Sequence, residues 1–211
     1  MRLSSVVVAA VLLVGCGHMA KLRPTPRRQV AIELEAGGPF AKIGSATIPL
    51  PLSTIGASYG IADHLDVSGH LHPTAAVFGV GGLDLGAAWQ PVIQNGGVPA
   101  VTLAGRLYGF TDFKTGFMPY LEAGVTGSYK IADRFSPYLN VSALVQINAV
   151  PLFAVGAGVE LELGRTALQA EFRWFSPNRP TLFNVVEWQG LGGLGAVGVL
   201  VGVRYTVGEK Q

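Results

Sequence analysis

The chain has 211 residues, of which only 13 % are charged and 49 % are hydrophobic, with a mean hydropathy of +0.42. Five of its 15 basic residues fall within the first 28, so the remainder carries ten basic against 13 acidic residues and gives no support to nucleic acid as a partner. A single cysteine excludes an intramolecular disulfide and a cysteine-based zinc cluster. No apolar run of the ~18 residues a helical span needs occurs beyond the N-terminus.

In chain order, residues 1–16 read MRLSSVVVAAVLLVGC. Arg2 gives a positive start, and Val6–Val14 an apolar stretch of signal-peptide length. The tetrapeptide Leu13-Val14-Gly15-Cys16 resembles the lipobox of bacterial lipoproteins. That resemblance implies removal of residues 1–15 and acylation of Cys16. Gly17 at the next position, by resemblance to the sorting pattern of enteric bacteria, favours the outer membrane. Residues 16–28 then read as a lipidated cysteine and a basic, Pro-containing, poorly ordered tether, with Lys21, Arg23, Arg27 and Arg28 placed to rest on anionic headgroups.

From Gln29 the dominant signal is period two. Residues 135–148 alternate Phe135, Leu139, Val141 and Val145 with Ser136, Asn140, Ser142 and Gln146. The same alternation recurs in about ten stretches, at 29–37, 52–61, 64–72, 81–90, 98–108, 118–130, 135–148, 152–163, 166–175 and 194–207; 38–51 reads as a loop. Their lengths match the ~9–11 residues with which a tilted strand crosses a bilayer.

Three features separate a membrane barrel from a soluble sandwich. The apolar face of these strands carries no charge, while the opposite face is largely Gly, Ala, Ser and Thr, small enough for a narrow barrel interior. Short connections at 62–63, 91–97, 131–134 and 164–165 alternate with mostly longer ones at 38–51, 73–80, 109–117 and 176–193. Tyr59, Trp89, Tyr129, Phe135 and Tyr205 lie on the apolar face near the short turns or the C-terminus, as an aromatic girdle would. Residues 29–211 therefore read as an all-β domain. It is an antiparallel up-and-down transmembrane barrel of about ten strands that resembles the small bacterial outer-membrane barrels. An even strand count puts both termini, and with them a lipid on Cys16, on the periplasmic side.

The stretch Tyr59–Pro73 holds three of the four histidines. It shares Tyr-x-Ile-Ala-Asp with 129–133, so Asp63 and Asp133 read as turn residues. His70 and His72 share one strand face and are weak candidates for a metal pair, with Asp84 as a third ligand. Ser68 and His70 also share that face, which leaves a lipid A-modifying enzyme as a distant alternative. Inward charges Glu33, Glu35, Glu122, Glu160, Glu162 and Glu171 face Arg106, Arg173 and Arg204, an ionic filling for a narrow lumen. The apolar loop 176–193 is placed to cap the mouth, dip into the membrane or dock a surface ligand or protein. These features point to a non-enzymatic outer-membrane barrel lipoprotein with a structural or surface-binding role, surrounded by outer-membrane lipids and needing no cofactor. Alternatives are a narrow channel and a lipid-anchored soluble barrel holding an apolar ligand.

Overall fold

Alternating side chains let one sheet curl until its first and last strands meet. The computed structural model describes residues 18–114, 116–146, 149–183 and 186–208. In chain order its elements are β1 (Val30–Ile43), β2 (Ala46–Pro49), β3 (Leu52–Ala62), β4 (Leu65–Leu71), helix α1 (Pro73–Val77), β5 (Gly81–Val92), β6 (Ala100–Thr111), β7 (Phe117–Ser128), β8 (Phe135–Val145), β9 (Leu152–Leu163), β10 (Thr166–Pro180), β11 (Leu182–Phe183), β12 (Val186–Trp188) and β13 (Leu194–Val207). Ten of these, β1, β3 to β10 and β13, form a closed antiparallel barrel. The seam is shut on both sides of β1: Val30 pairs with Val207 on β13 and with Tyr59 on β3.

Polarity is inverted relative to a water-soluble protein. Ile32, Leu34, Leu85, Leu107, Leu121, Leu139, Val141, Val155, Phe172, Val199 and Val201 point outward and stay exposed, while Glu33, Asp66, His70, Asp84, Glu160, Glu171 and Arg173 are buried in the lumen. Closure leaves the wall no free sheet edge, because β1 pairs with both β3 and β13, and a bilayer demands this of strands that cross it. The exposed apolar band and the closed ladder together make this a transmembrane β-barrel.

The short turns are tight. Asp63 and His64 join β3 to β4 with His64 at φ +63°, and Ala132 and Asp133 join β7 to β8 at φ +51° and +60°. The Tyr-x-Ile-Ala-Asp repeat thus marks two turns at the same end of the barrel, each with residues in the left-handed region.

Two expectations are corrected. The segment 38–51, read as a loop, is a β-hairpin: β1 runs on past the barrel to Ile43, turns at Gly44 (φ +63°) and pairs with β2 through Phe40–Pro49 and Ile43–Ala46. The larger correction concerns the N-terminal segment. His18 to Arg27 do not trail into solvent as a poorly ordered tether. They run extended through the lumen and fill it: His18, Met19, Ala20, Leu22 and Thr25 are all buried. The physical reason is charge. The lumen is acidic, and a basic strand that satisfies it is more stable inside than on a hydrated surface. Pro24 and Pro26 suit this course, because each fixes an extended backbone and brings no N–H needing a partner.

Candidate functional site

The plug meets the wall along its whole length. At the short-turn end Arg28 N donates to Gly60 O (2.8 Å), and Gly60 N donates to Gln29 O (3.1 Å). A Cβ at Gly60 would collide with the carbonyls of Thr25 and Pro26, so glycine is what lets the plug lie against β3. Thr25 N donates to Asp66 Oδ2 (2.7 Å), and Thr102 Oγ1 donates to Leu22 O (2.6 Å). Lys21 Nζ reaches Glu33 (2.6 Å) and Asp66 (3.1 Å); Arg23 pairs with Glu162 and donates to Ser136 (2.6 Å). Ala20 N donates to Glu171 Oε2 (3.0 Å), and its carbonyl accepts from Gln169 (2.8 Å). Wall side chains thus satisfy the backbone groups that an extended segment leaves open.

Deeper toward the long-loop end the plug contributes His18 to a histidine cluster. His18 Nε2 and His72 Nε2 each lie 2.8 Å from the same atom, Asp84 Oδ2. His18 Nδ1 lies 2.9 Å from Glu35 Oε2. His70 is held between Asp84 Oδ1 (3.1 Å) and Glu33 Oε2 (3.0 Å), with Arg106 Nε 3.4 Å from Asp84 Oδ1. The His18 ring meets those of His70 and His72 edge to face, at 4.5 and 5.3 Å between centroids. Tyr108, fully buried, closes one side at 5.9 and 5.8 Å from His18 and His72.

The structure sorts the residues singled out from sequence. Glu33, Glu35, Arg106, Glu122, Glu160, Glu162, Glu171, Arg173 and Arg204 all engage lumen partners. Arg173 pairs with Glu171, Arg204 with Glu160 (3.0 Å), Lys130 with Glu162 (2.7 Å), and Tyr108 donates to Glu122. Glu33 faces Arg204 across the seam in register, but its cation is Lys21 from the plug. Tyr59, Trp89, Phe135 and Tyr205 are exposed on the outer wall near the short turns, and Tyr129 bends onto a turn to donate to Gly96 O (2.6 Å). His70 and His72 converge on Asp84, as their shared face predicts. Both His70 nitrogens are occupied by carboxylates, so Ser68 gains no base from it. Within the loop 176–193, Trp188 folds inward and packs with Met19, Ala41, Phe175, Ala196 and Leu200, while Leu182 stays exposed. His18 was missed, as were Lys21 and Arg23 as lumen residues. The available signal was the surplus of acidic residues in the body beside four basic ones in the segment before it.

Cys16 lies outside the described residues. The described segment runs from His18, at the long-loop end of the lumen, to Arg28, at the short turns.

Among the described residues, three voids beside the plug are about 20–30 Å³ each, room for single waters. A larger cavity of about 540 Å³ opens at the short-turn mouth, between Arg23, Arg27, Glu162 and Arg204.

No protein-family model and no curated protein matches the chain. Solved structures similar to it are transmembrane barrels. The translocator domain of autotransporter NalP from Neisseria meningitidis matches at 11 % identity and TM-score 0.46, over 95 % of this chain and 97 % of that one. The KdgM porin matches at 10 % identity and TM-score 0.45, over 85 % and 99 %. A de novo designed transmembrane β-barrel matches at 14 % identity and TM-score 0.38, over 88 % and 99 %. These likenesses concern architecture alone. The membrane assignment rests on the exposed apolar wall and the closed ladder.

Proposed function

We propose that this chain is a plugged, non-conducting outer-membrane barrel lipoprotein with a structural or surface-binding role, and not an enzyme. The observation that carries this reading is the segment 18–27, which fills the lumen and neutralises its carboxylates. The lumenal charges are spent on each other and on the plug, and the small voids beside the plug have room only for single waters. The long-loop end offers exposed apolar side chains for docking, Leu182, Val77 and Phe113 among them. Acylation of Cys16 belongs to the same reading.

Reconstituted into planar bilayers, the intact protein is expected to show no unitary conductance; steady channel openings would overturn the plugged reading. Lipid A from a host overexpressing the protein is expected to keep its acylation pattern, and a shortened or lengthened pattern would restore the enzyme alternative. Labelled palmitate should enter the protein and be absent from Cys16→Ser.

A further inference from the structure

The three-histidine cluster has more order than charge neutralisation requires. Both nitrogens of His18 face carboxylate oxygens, Asp84 Oδ2 at 2.8 Å and Glu35 Oε2 at 2.9 Å. Nδ1 makes no hydrogen bond despite that proximity, so protein neighbours do not fully satisfy this buried ring. The surroundings suit a metal ion. His18 Nε2, His72 Nε2 and Asp84 Oδ2 come from three separate segments and lie within 4.8 Å of one another, all buried. Ligand atoms bound at ~2.0–2.1 Å around a tetrahedral centre sit about 3.3 Å apart, so side-chain shifts of a few tenths of an ångström would open the 2.8 Å pairs to that spacing. Asp84 is already aimed: its Oδ1 is held by His70 and Arg106, which turns Oδ2 toward the other two histidines. Glu35 behind His18 supplies a carboxylate of the kind that commonly stands behind a metal-bound imidazole.

We propose that His18, His72 and Asp84 bind one divalent first-row transition ion, of the zinc, copper or nickel class, and that this ion latches the plug to the barrel wall. Two imidazoles and a carboxylate match that class and not the all-oxygen sites of calcium or magnesium. Because His18 is the plug's own ligand, the ion bridges the plug to β5 through Asp84 and to the end of β4 through His72. Chelation frees the plug at its long-loop end; metal fixes it.

The test uses the full-length protein without an affinity tag, refolded in detergent, and titrated calorimetrically with zinc, copper and nickel salts. One ion per chain is expected. His18→Ala and His72→Gln should each weaken binding at least about tenfold, equivalent to ~1.4 kcal/mol, while His64→Ala, at the opposite mouth, should bind as the parent does. Folding of each variant is checked by heat-modifiable gel migration. Cobalt bound to the parent should give visible d–d absorption that His18→Ala lacks. Zinc should also raise the thermal unfolding temperature of the parent and leave that of His18→Ala unmoved. Folded parent protein that binds none of the three ions would overturn the proposal. So would binding that neither variant weakens.

Discussion

At the scale of single residues, the structure turns on charges that have no water to fall back on. Lys21 is the clearest case. Its ammonium reaches Glu33 and Asp66, which are buried and have few other sources of positive charge. Removing one partner of a buried ionic group typically costs ~3–5 kcal/mol, because the remaining charge is left uncompensated. Lys21→Met, which keeps the length and loses the charge, is therefore expected to lower the urea unfolding midpoint strongly. Arg27→Met, whose partner Asp63 is 3.9 Å away at the exposed mouth, should leave it nearly unchanged. The contrast checks that burial, and not charge alone, sets the cost. Much at this scale was legible in the sequence. Alternation put Glu33, Glu35, Glu160, Glu162, Glu171, Arg173 and Arg204 inside, because in a strand the face of a side chain follows from parity alone. It could not say which cation serves which carboxylate. Glu33 takes Lys21 and not its cross-seam neighbour Arg204, and that choice depends on a segment with no periodicity to read.

At the scale of elements, the strands were legible and the plug was not. Each barrel strand carries an apolar stripe whose spacing announces it. Residues 18–27 carry none: Met19 packs on Phe175 and Trp188, Lys21 and Arg23 meet carboxylates on other sides, and so irregular a set of surroundings leaves no period in the sequence. The hairpin at 38–51 escaped for a related reason: beyond the bilayer its exposed faces need no apolar stripe. The plug's direction can be checked with the only cysteine in the chain. If the lipoprotein signal is exchanged for one that leaves Cys16 unmodified, its thiol lies two residues from His18. A membrane-impermeant maleimide is expected to label it on intact cells. Labelling that appears only after the cells are broken would reverse the threading.

At the scale of the whole molecule, the wall is the part that meets lipid. Val141 sits midway along β8, opposite Val125 and Val155, and points outward. Val141→Arg is expected to destabilise the barrel by ~2–4 kcal/mol in a bilayer, the cost of a guanidinium near the midplane. The same substitution at Val207, near the short-turn edge, should cost ~0–1 kcal/mol. Urea titration in vesicles of matched thickness measures both. Equal effects at the two depths would mean that the apolar band does not face hydrocarbon.

The position of the plug constrains the order in which the molecule can be made. Residues 18–27 lead directly into β1, and β1 is the strand that both β3 and β13 must reach for the cylinder to shut. A leader that lies inside its own ring has either been enclosed as the last seam zipped or been drawn in afterwards through an opening already crowded by side chains. Enclosure is the cheaper route, because Lys21, Arg23 and His18 can then find Glu33, Glu162 and Asp84 while the sheet is still an open trough. On that route the N-terminal segment serves as an internal mandrel, around whose cations the acidic rows of the open trough would come together.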